Sequence, residues 1–90
     1  MTNIQFNNAL TNLEKPLYFY AVRLTTDKEN AKDLLQETLL KALAYKNKFR
    51  ENTNFKAWVY TIMKNTFINN YRRNIRASEV FDGAGNDYHS

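Results

Sequence analysis

Residues 54–76 read NFKAWVYTIMKNTFINNYRRNIR, and this stretch indicates the fold class of the chain. Its apolar side chains recur at steps of three and four residues, the spacing of one helix face. That face consists of Phe55, Trp58, Val59, Ile62, Met63 and Thr66. We predict a long helix from Asn54, a good amino-terminal cap, to about Ile75. Its apolar face should turn toward a core and leave the opposite face exposed.

Two earlier stretches show the same periodicity. The first runs from about Ile4 to Leu24, and Pro16 should kink it near Asn12–Lys15 or divide it into two short helices. The second begins after Asp27, a residue type favoured at amino-terminal caps, and ends near Tyr45. The predicted core residues of the first are Phe6, Leu10, Leu13, Leu17, Tyr20, Ala21 and Leu24. Those of the second are Ala31, Leu34, Leu35, Thr38, Leu39, Ala42 and Tyr45.

The alternation of apolar and polar residues expected of half-buried strands does not occur in the sequence. Residues 1–76 are therefore predicted to form one all-α domain, a compact bundle of three to four helices. The acidic, glycine-bearing residues 77–90 have no sustained periodicity and are predicted to be a flexible linker.

Composition narrows the function classes. The 90 residues include no cysteine, which excludes disulfides and thiolate metal sites. No apolar run reaches the roughly 18 residues that cross a bilayer, and the first residues lack the order of a secretory signal. We therefore expect a cytoplasmic protein without membrane insertion.

Catalytic constellations are missing from the sequence. The one histidine, His89, lies in the tail, and Asp33 and Glu37 share a helix face without a third ligand. There is no glycine-rich phosphate loop. We therefore predict no enzyme activity, no cofactor and no metal site.

The positive charge is concentrated in one part of the chain. Residues 41–76 contain nine basic residues against one acid, Glu51, for a net charge of +8, whereas residues 77–90 carry −3. Such a basic block suits a polyanion, because neutralised phosphates release condensed counterions. A solvated lysine-rich surface is the alternative on charge alone.

Three groups of side chains could bind a nucleic acid. An amide–cation strip lies on the last helix opposite its apolar face and consists of Ala57, Thr61, Lys64, Asn65, Ile68 and Arg72. An aromatic flank beside it consists of Lys56, Tyr60, Phe67 and Tyr71. The connector, residues 46–54, offers Lys46, Lys48, Arg50, Asn47, Asn52 and Asn54. Cations can hold phosphates, amides can read base edges, and rings can stack on unpaired bases.

Each group also has an ordinary structural interpretation. Phe67 and Tyr71 could instead pack against the first helix, and the connector could be a solvated loop with Phe49 as its apolar anchor. On the second predicted helix, the face opposite the core carries Asp33, Gln36, Glu37, Leu40 and Ala44. An apolar centre with a polar rim is typical of a docking patch, although isolated exposed leucines are common.

Three segments resemble region 2 of bacterial sigma factors. They are NAKDLLQETLLKA at residues 30–42, TNFKAWVYTIMKNTFINNYRR at residues 53–73 and RLTTD at residues 23–27. The resemblance covers roughly residues 10–76. The short connector between the last two helices is similar to that of the extracytoplasmic-function group. The sequence departs from the family pattern at Pro16 and at Thr26. At the second of these positions, relatives often have glycine.

The resemblance implies two binding surfaces. Asp33, Gln36, Glu37 and Leu40 would dock on the clamp helices of the β′ subunit of core RNA polymerase. The connector and last helix would bind promoter DNA, including the single-stranded −10 element, and capture a flipped base. Asn65 and Asn69 would contact bases, whereas Lys64, Arg72 and Arg73 would hold phosphates. An anti-sigma factor is a further expected partner.

Members of the family that the sequence resembles also carry a second domain that reads the −35 element, and we expect this sequence to end before it. Residues 77–90 resemble the start of the linker toward it, so we expect a truncated chain or fragment. The alternative function is a helical protein-interaction module, of the kind that binds anti-sigma factors, without direct DNA contact.

Overall fold

A computed structural model describes the backbone of residues 1–82 and the side chains of residues 1–77. These residues form four α-helices and a short 3-10 helix, and contain no strand, which confirms the predicted all-α bundle. The α-helices are α1 (Asn3–Asn12), α2 (Glu14–Thr25), α3 (Lys28–Ala44) and α4 (Phe55–Asp82), and the 3-10 helix is Lys46–Lys48. None of the described helices combines the length and apolarity needed to cross a bilayer.

The predicted break near Pro16 divides the first helical stretch into α1 and α2. The chain turns at Leu13, and Pro16 occupies the first turn of α2, where the missing N–H would have no partner within the helix. At the start of α1, Thr2 Oγ1 accepts the Gln5 backbone N–H at 3.1 Å, and Gln5 Oε1 accepts the Thr2 N–H at 2.9 Å. This reciprocal cap fixes the entry of the chain into the bundle.

The core consists of residues from all four helices, and the predicted stripes are confirmed except at one position. The buried side chains are Phe6, Leu10, Leu17, Ala21, Ala31, Leu34, Thr38, Ala42, Val59, Met63 and Thr66. Thr38 is tolerated there because its hydroxyl donates to the Leu34 carbonyl oxygen at 2.7 Å. Tyr45 was predicted to be buried but is 47% exposed, because α3 ends at Ala44 and the chain turns away from the core.

The last helix is longer than predicted. Periodicity placed its end near Ile75, but α4 runs to Asp82. Residues 77–82 contain neither glycine nor proline, so no helix-breaking residue occurs before Gly83. The rest of the predicted linker 77–90, residues 83–90 with His89, lies outside the described residues.

The turn between α2 and α3 places a threonine in the left-handed region. Thr26 has φ 55°, and its backbone N–H donates to the Val22 carbonyl oxygen at 2.7 Å. Asp27 is the first capping position of α3, as predicted, but its side chain makes no capping hydrogen bond. The sharp turn therefore depends on a conformation that a β-branched residue adopts at a cost.

Thr26→Gly should stabilise the domain. Left-handed backbone costs an L-residue about 1–2 kcal/mol, and the extra freedom of glycine in the unfolded chain offsets part of the gain. We expect a net gain of about 0.5–1 kcal/mol, which raises the Tm by a few degrees in thermal denaturation. Thr26→Ala, which keeps the Cβ, should not reproduce the gain. A Tm unchanged by glycine would show that the turn carries no such strain.

Candidate nucleic-acid and docking surfaces

The amide–cation strip is on the solvent side of α4. Val59, Met63 and Thr66 are buried on one side of the helix, whereas Lys64, Asn65 and Arg72 are exposed on the other. Of the remaining strip residues, Ala57 and Thr61 are exposed and Ile68 is half-buried, and Asn69 beside the strip is exposed as well. The Thr61 hydroxyl donates to the Ala57 carbonyl oxygen at 2.8 Å.

The cations of the strip have no acidic partner in the described part of the chain. Within residues 1–77 the ion pairs join Lys41 to Glu37 and the amino-terminal amine of Met1 to Glu51. Lys64 and Arg72 belong to neither pair. Their charges can therefore face an external anion.

The aromatic flank is partly used for packing. Tyr60 is half-buried against Tyr20, with ring centroids 5.0 Å apart, and the Lys56 ammonium lies 5.6 Å from the centre of the Tyr60 ring. Phe67 packs against the core, which supports its structural interpretation. Tyr71 is 58% exposed and stacks on Phe67 at 6.3 Å. Tyr71 is thus the flank residue whose ring remains most accessible.

An aromatic cluster fastens the connector to the bundle. Phe49 lies 5.2 Å from Phe55 and 5.3 Å from Trp58, measured between ring centroids, and Phe6 of α1 lies 5.3 Å from Phe55. Phe49 therefore acts as the predicted anchor. The contribution of Phe6 was not predicted, because it joins residues far apart in the sequence.

The polar residues of the connector differ in their surroundings. Asn54 Oδ1 accepts the Ala57 backbone N–H at 3.1 Å and caps α4. Lys46 is half-buried and donates to Asn3 Oδ1. Lys48 and Arg50 are exposed, as are Asn47 and Asn52. The connector therefore presents Lys48 and Arg50 to solvent while its ends are held in place.

Three of the four α3 residues expected to dock on polymerase are exposed together on one face of the helix. Asp33, Gln36 and Leu40 are exposed, and Leu40 is exposed to 66%. Leu43, which the sequence reasoning did not single out, is 44% exposed nearly one helical turn beyond Leu40 and extends the apolar part of this face. We call Asp33, Gln36, Leu40 and Leu43 the α3 docking face.

Glu37 is placed differently from its neighbours on α3. It is half-buried at the crossing of α3 and α4, where Oε1 accepts from Asn70 Nδ2 at 3.0 Å. Its Oε2 lies 3.8 Å from Lys41 Nζ. The carboxylate expected to face an external partner therefore has partners within the domain.

An open groove of about 580 Å³ adjoins this crossing. It is lined by Leu24, Thr25, Thr26, Asn30, Asp33, Leu34, Glu37, Phe67, Asn70, Tyr71, Arg73 and Asn74. Asn70 was not among the predicted site residues, although it continues the buried stripe of α4 one turn beyond Thr66. Within the described residues, no group of three or more histidine, cysteine or acidic side chains could hold a metal ion.

These features define a helical domain with two faces that share no residue. One is the basic strip on α4, and the other, on α3, is an apolar patch edged by Asp33 and Gln36. The chain belongs to the Sigma-70 region 2 family, whose model matches residues 10–77. Its relatives place it in the extracytoplasmic-function (ECF) type, as the sequence resemblance predicted.

Two sigma factors with related sequences illustrate this relationship. The chain is 42% identical over 65 residues to the ECF RNA polymerase sigma factor EcfG of Rhodopseudomonas palustris, covering 72% of this chain and 36% of EcfG. It is 46% identical over 57 residues to the RNA polymerase sigma factor YlaC of Bacillus subtilis, covering 63% and 33%. The chain thus spans about a third of the length of these curated relatives.

The solved structure of the sigma factor RpoE in complex with the anti-sigma factor NepR, from Bartonella quintana, has a similar fold. It matches with a TM-score of 0.77 and 35% sequence identity, covering 92% of this chain and 51% of RpoE. The four-helix arrangement is therefore shared with a sigma factor over nearly the whole chain.

Proposed function

We propose that this domain binds core RNA polymerase and recognises and melts the −10 promoter element during transcription initiation. Family membership supports this role, and one observation carries it. The α4 helix builds the core with Val59 and Met63 while its Lys64, Asn65 and Arg72 side stays exposed. A rigid helix with a free amide–cation strip can hold a separated strand without changing its own fold.

The proposed work is mechanical rather than catalytic. Unpairing and unstacking a base costs a few kcal/mol, and capture of the freed base offsets that cost. Lys64 and Arg72, with Lys48 and Arg50 of the connector, hold phosphates on either side of the opened base. Asn65 and Asn69 contact base edges.

Other members of the predicted DNA-binding set have supporting roles in this proposal. Tyr71 offers a stacking face, and Lys56 adds charge beside Tyr60. Lys46 and Asn54 hold the ends of the connector, whereas Thr61 and Ile68 add contact surface to the strip beside its charged and amide side chains. The exposure and contacts of these side chains support the proposed roles.

The α3 docking face is the proposed contact with polymerase. Its apolar centre, Leu40 and Leu43, supplies buried area, and Asp33 and Gln36 set orientation at the rim. RpoE was solved with an anti-sigma factor bound, and we propose that a similar inhibitor regulates this domain.

Asn65→Ala tests the base-reading role. We expect about a tenfold loss of affinity for the preferred single-stranded oligonucleotide, one selected from a random pool for tight binding to the wild type, because one base contact is removed. The salt dependence should not change, because no charge is lost. Fluorescence anisotropy with the preferred and a scrambled oligonucleotide measures both quantities.

Asn8→Ala, an exposed asparagine on α1, serves as the matched control and should bind normally. Equal losses by Asn65→Ala on both oligonucleotides would contradict base reading. A wild-type domain that binds core polymerase but no oligonucleotide at low salt would refute the DNA role altogether. That outcome would favour a protein-interaction module.

A further inference from the structure

A chain of hydrogen bonds crosses from α3 to the carboxyl-terminal half of α4. Glu37 Oε1 accepts from Asn70 Nδ2 at 3.0 Å, and Asn70 Oδ1 accepts from Arg73 Nη2. The amide of Asn70 thus uses its donor toward α3 and its acceptor toward Arg73. Among the candidate phosphate contacts on α4, only Arg73 is held by such a chain of hydrogen bonds within residues 1–77.

The position of Asn70 follows from the helix repeat. It comes four residues after Thr66 and seven after Met63, both of which are buried, so it faces the bundle where the core ends. Arg73 is one turn further along and lies about 100° around the helix from Arg72. Unlike Arg72, Arg73 is therefore on the edge of α4 that borders the groove.

The arrangement leaves Arg73 able to bind an anion. A guanidinium has five N–H donors, and the bond to Asn70 uses only one of them. The residue itself is exposed. Holding a long side chain in one orientation before binding reduces the entropy lost when it meets a phosphate.

We propose that Glu37 and Asn70 are positioning residues that orient Arg73 toward a DNA phosphate. The inference rests on the proposed function and deepens it. It assigns Glu37 a role inside the domain, in place of the contact with polymerase that the family resemblance implies. The half-buried carboxylate acts through Asn70 and does not itself touch DNA.

Charge and positioning make opposite predictions for Glu37→Ala. Removing a carboxylate near DNA should by itself strengthen binding, because a like charge is removed. Loss of the hydrogen-bond chain should instead weaken binding of single-stranded DNA, by roughly threefold if one long side chain must be ordered again. We expect weaker binding, and Asn70→Ala should weaken it to a similar extent.

Three further variants test whether Glu37 and Asn70 act through one chain, with affinity measured by fluorescence anisotropy on a single-stranded oligonucleotide. Glu37→Gln keeps the acceptor oxygen and should bind as well as the wild type or better. The double variant Glu37→Ala, Asn70→Ala should be no weaker than either single variant, because both break the same chain. Glu29→Ala, an exposed carboxylate at the start of α3, is the control and should not lose affinity.

Arg73→Gln separates the two ways in which the inference could fail. It should lower affinity about tenfold at low salt, the contribution of one phosphate contact. If Arg73→Gln loses affinity while Glu37→Ala and Asn70→Ala only lower the Tm, the two residues are merely structural and the inference is wrong. If the wild type binds no DNA, the proposed function fails and the inference fails with it.

Discussion

Replacing Lys64 and Arg72 together with glutamine should lower the affinity of the domain for single-stranded DNA about a hundredfold at about 50 mM salt. Each phosphate contact on a single strand contributes about 0.7 to the slope of log K against log salt, or about tenfold between 1 M and 50 mM salt. Loss of two contacts should also reduce that slope by about 1.4. Anisotropy titrations at several salt concentrations measure both effects.

Lys28 and Lys32 provide the matched control for this charge removal. Both are exposed on α3, away from the strip, so Lys28→Gln, Lys32→Gln removes the same net charge elsewhere. This control should retain most of the affinity and salt dependence. An equal loss in the two double variants would mean that overall charge, rather than the α4 strip, binds DNA. Both glutamine pairs replace exposed side chains, so the fold should be preserved.

The helices and their buried faces could be predicted because their causes are local. The three- and four-residue spacing from Phe6 to Leu24 and from Phe55 to Thr66 requires one apolar side on each helix. Pro16 divides the first stretch for an equally local reason, the absence of a backbone N–H. The capping role of Asn54 likewise depends on residues only three positions apart.

Contacts between distant residues could not be predicted in this way. Phe6 meets Phe55 through packing of α1 on α4, and periodicity does not state which faces meet. Glu37 was placed on the exposed face of α3 by its helix angle, yet the neighbouring helix brings Asn70 within 3.0 Å of it. The predicted burial of Tyr45 was wrong for another reason, because α3 ends at Ala44, just before it.

For the candidate surfaces too, exposure could be predicted where it depends on local spacing and could not where it depends on packing between helices. Lys64, Asn65 and Arg72 could be assigned to solvent because they lie opposite a clear apolar stripe. Tyr60 and Phe67 lie at the border of that stripe, where small differences in helix packing decide between burial and exposure. The structure uses both rings in packing, and Tyr71 alone of the flank aromatics is largely exposed.

Leu40→Asp should weaken association with core RNA polymerase by about 2–4 kcal/mol, or roughly thirty- to a thousandfold, if Leu40 is the centre of the α3 docking face. The side chain is 66% exposed, so its substitution removes little from the core. A carboxylate there would be buried without a partner in the complex and would add to the charge of Asp33. Binding of the labelled domain to immobilised core polymerase measures the loss.

Ile4→Asp distinguishes a specific docking face from general apolar adhesion. Ile4 is 73% exposed on α1, so the change in polarity matches that of Leu40→Asp but lies on another helix. The Ile4 variant should bind polymerase normally, and both variants should keep a Tm near that of the wild type because neither side chain is buried. If Leu40→Asp binds as well as Ile4→Asp, the polymerase contact does not lie on the α3 docking face. DNA binding by the α4 strip would be unaffected by that result, because the two surfaces share no residue.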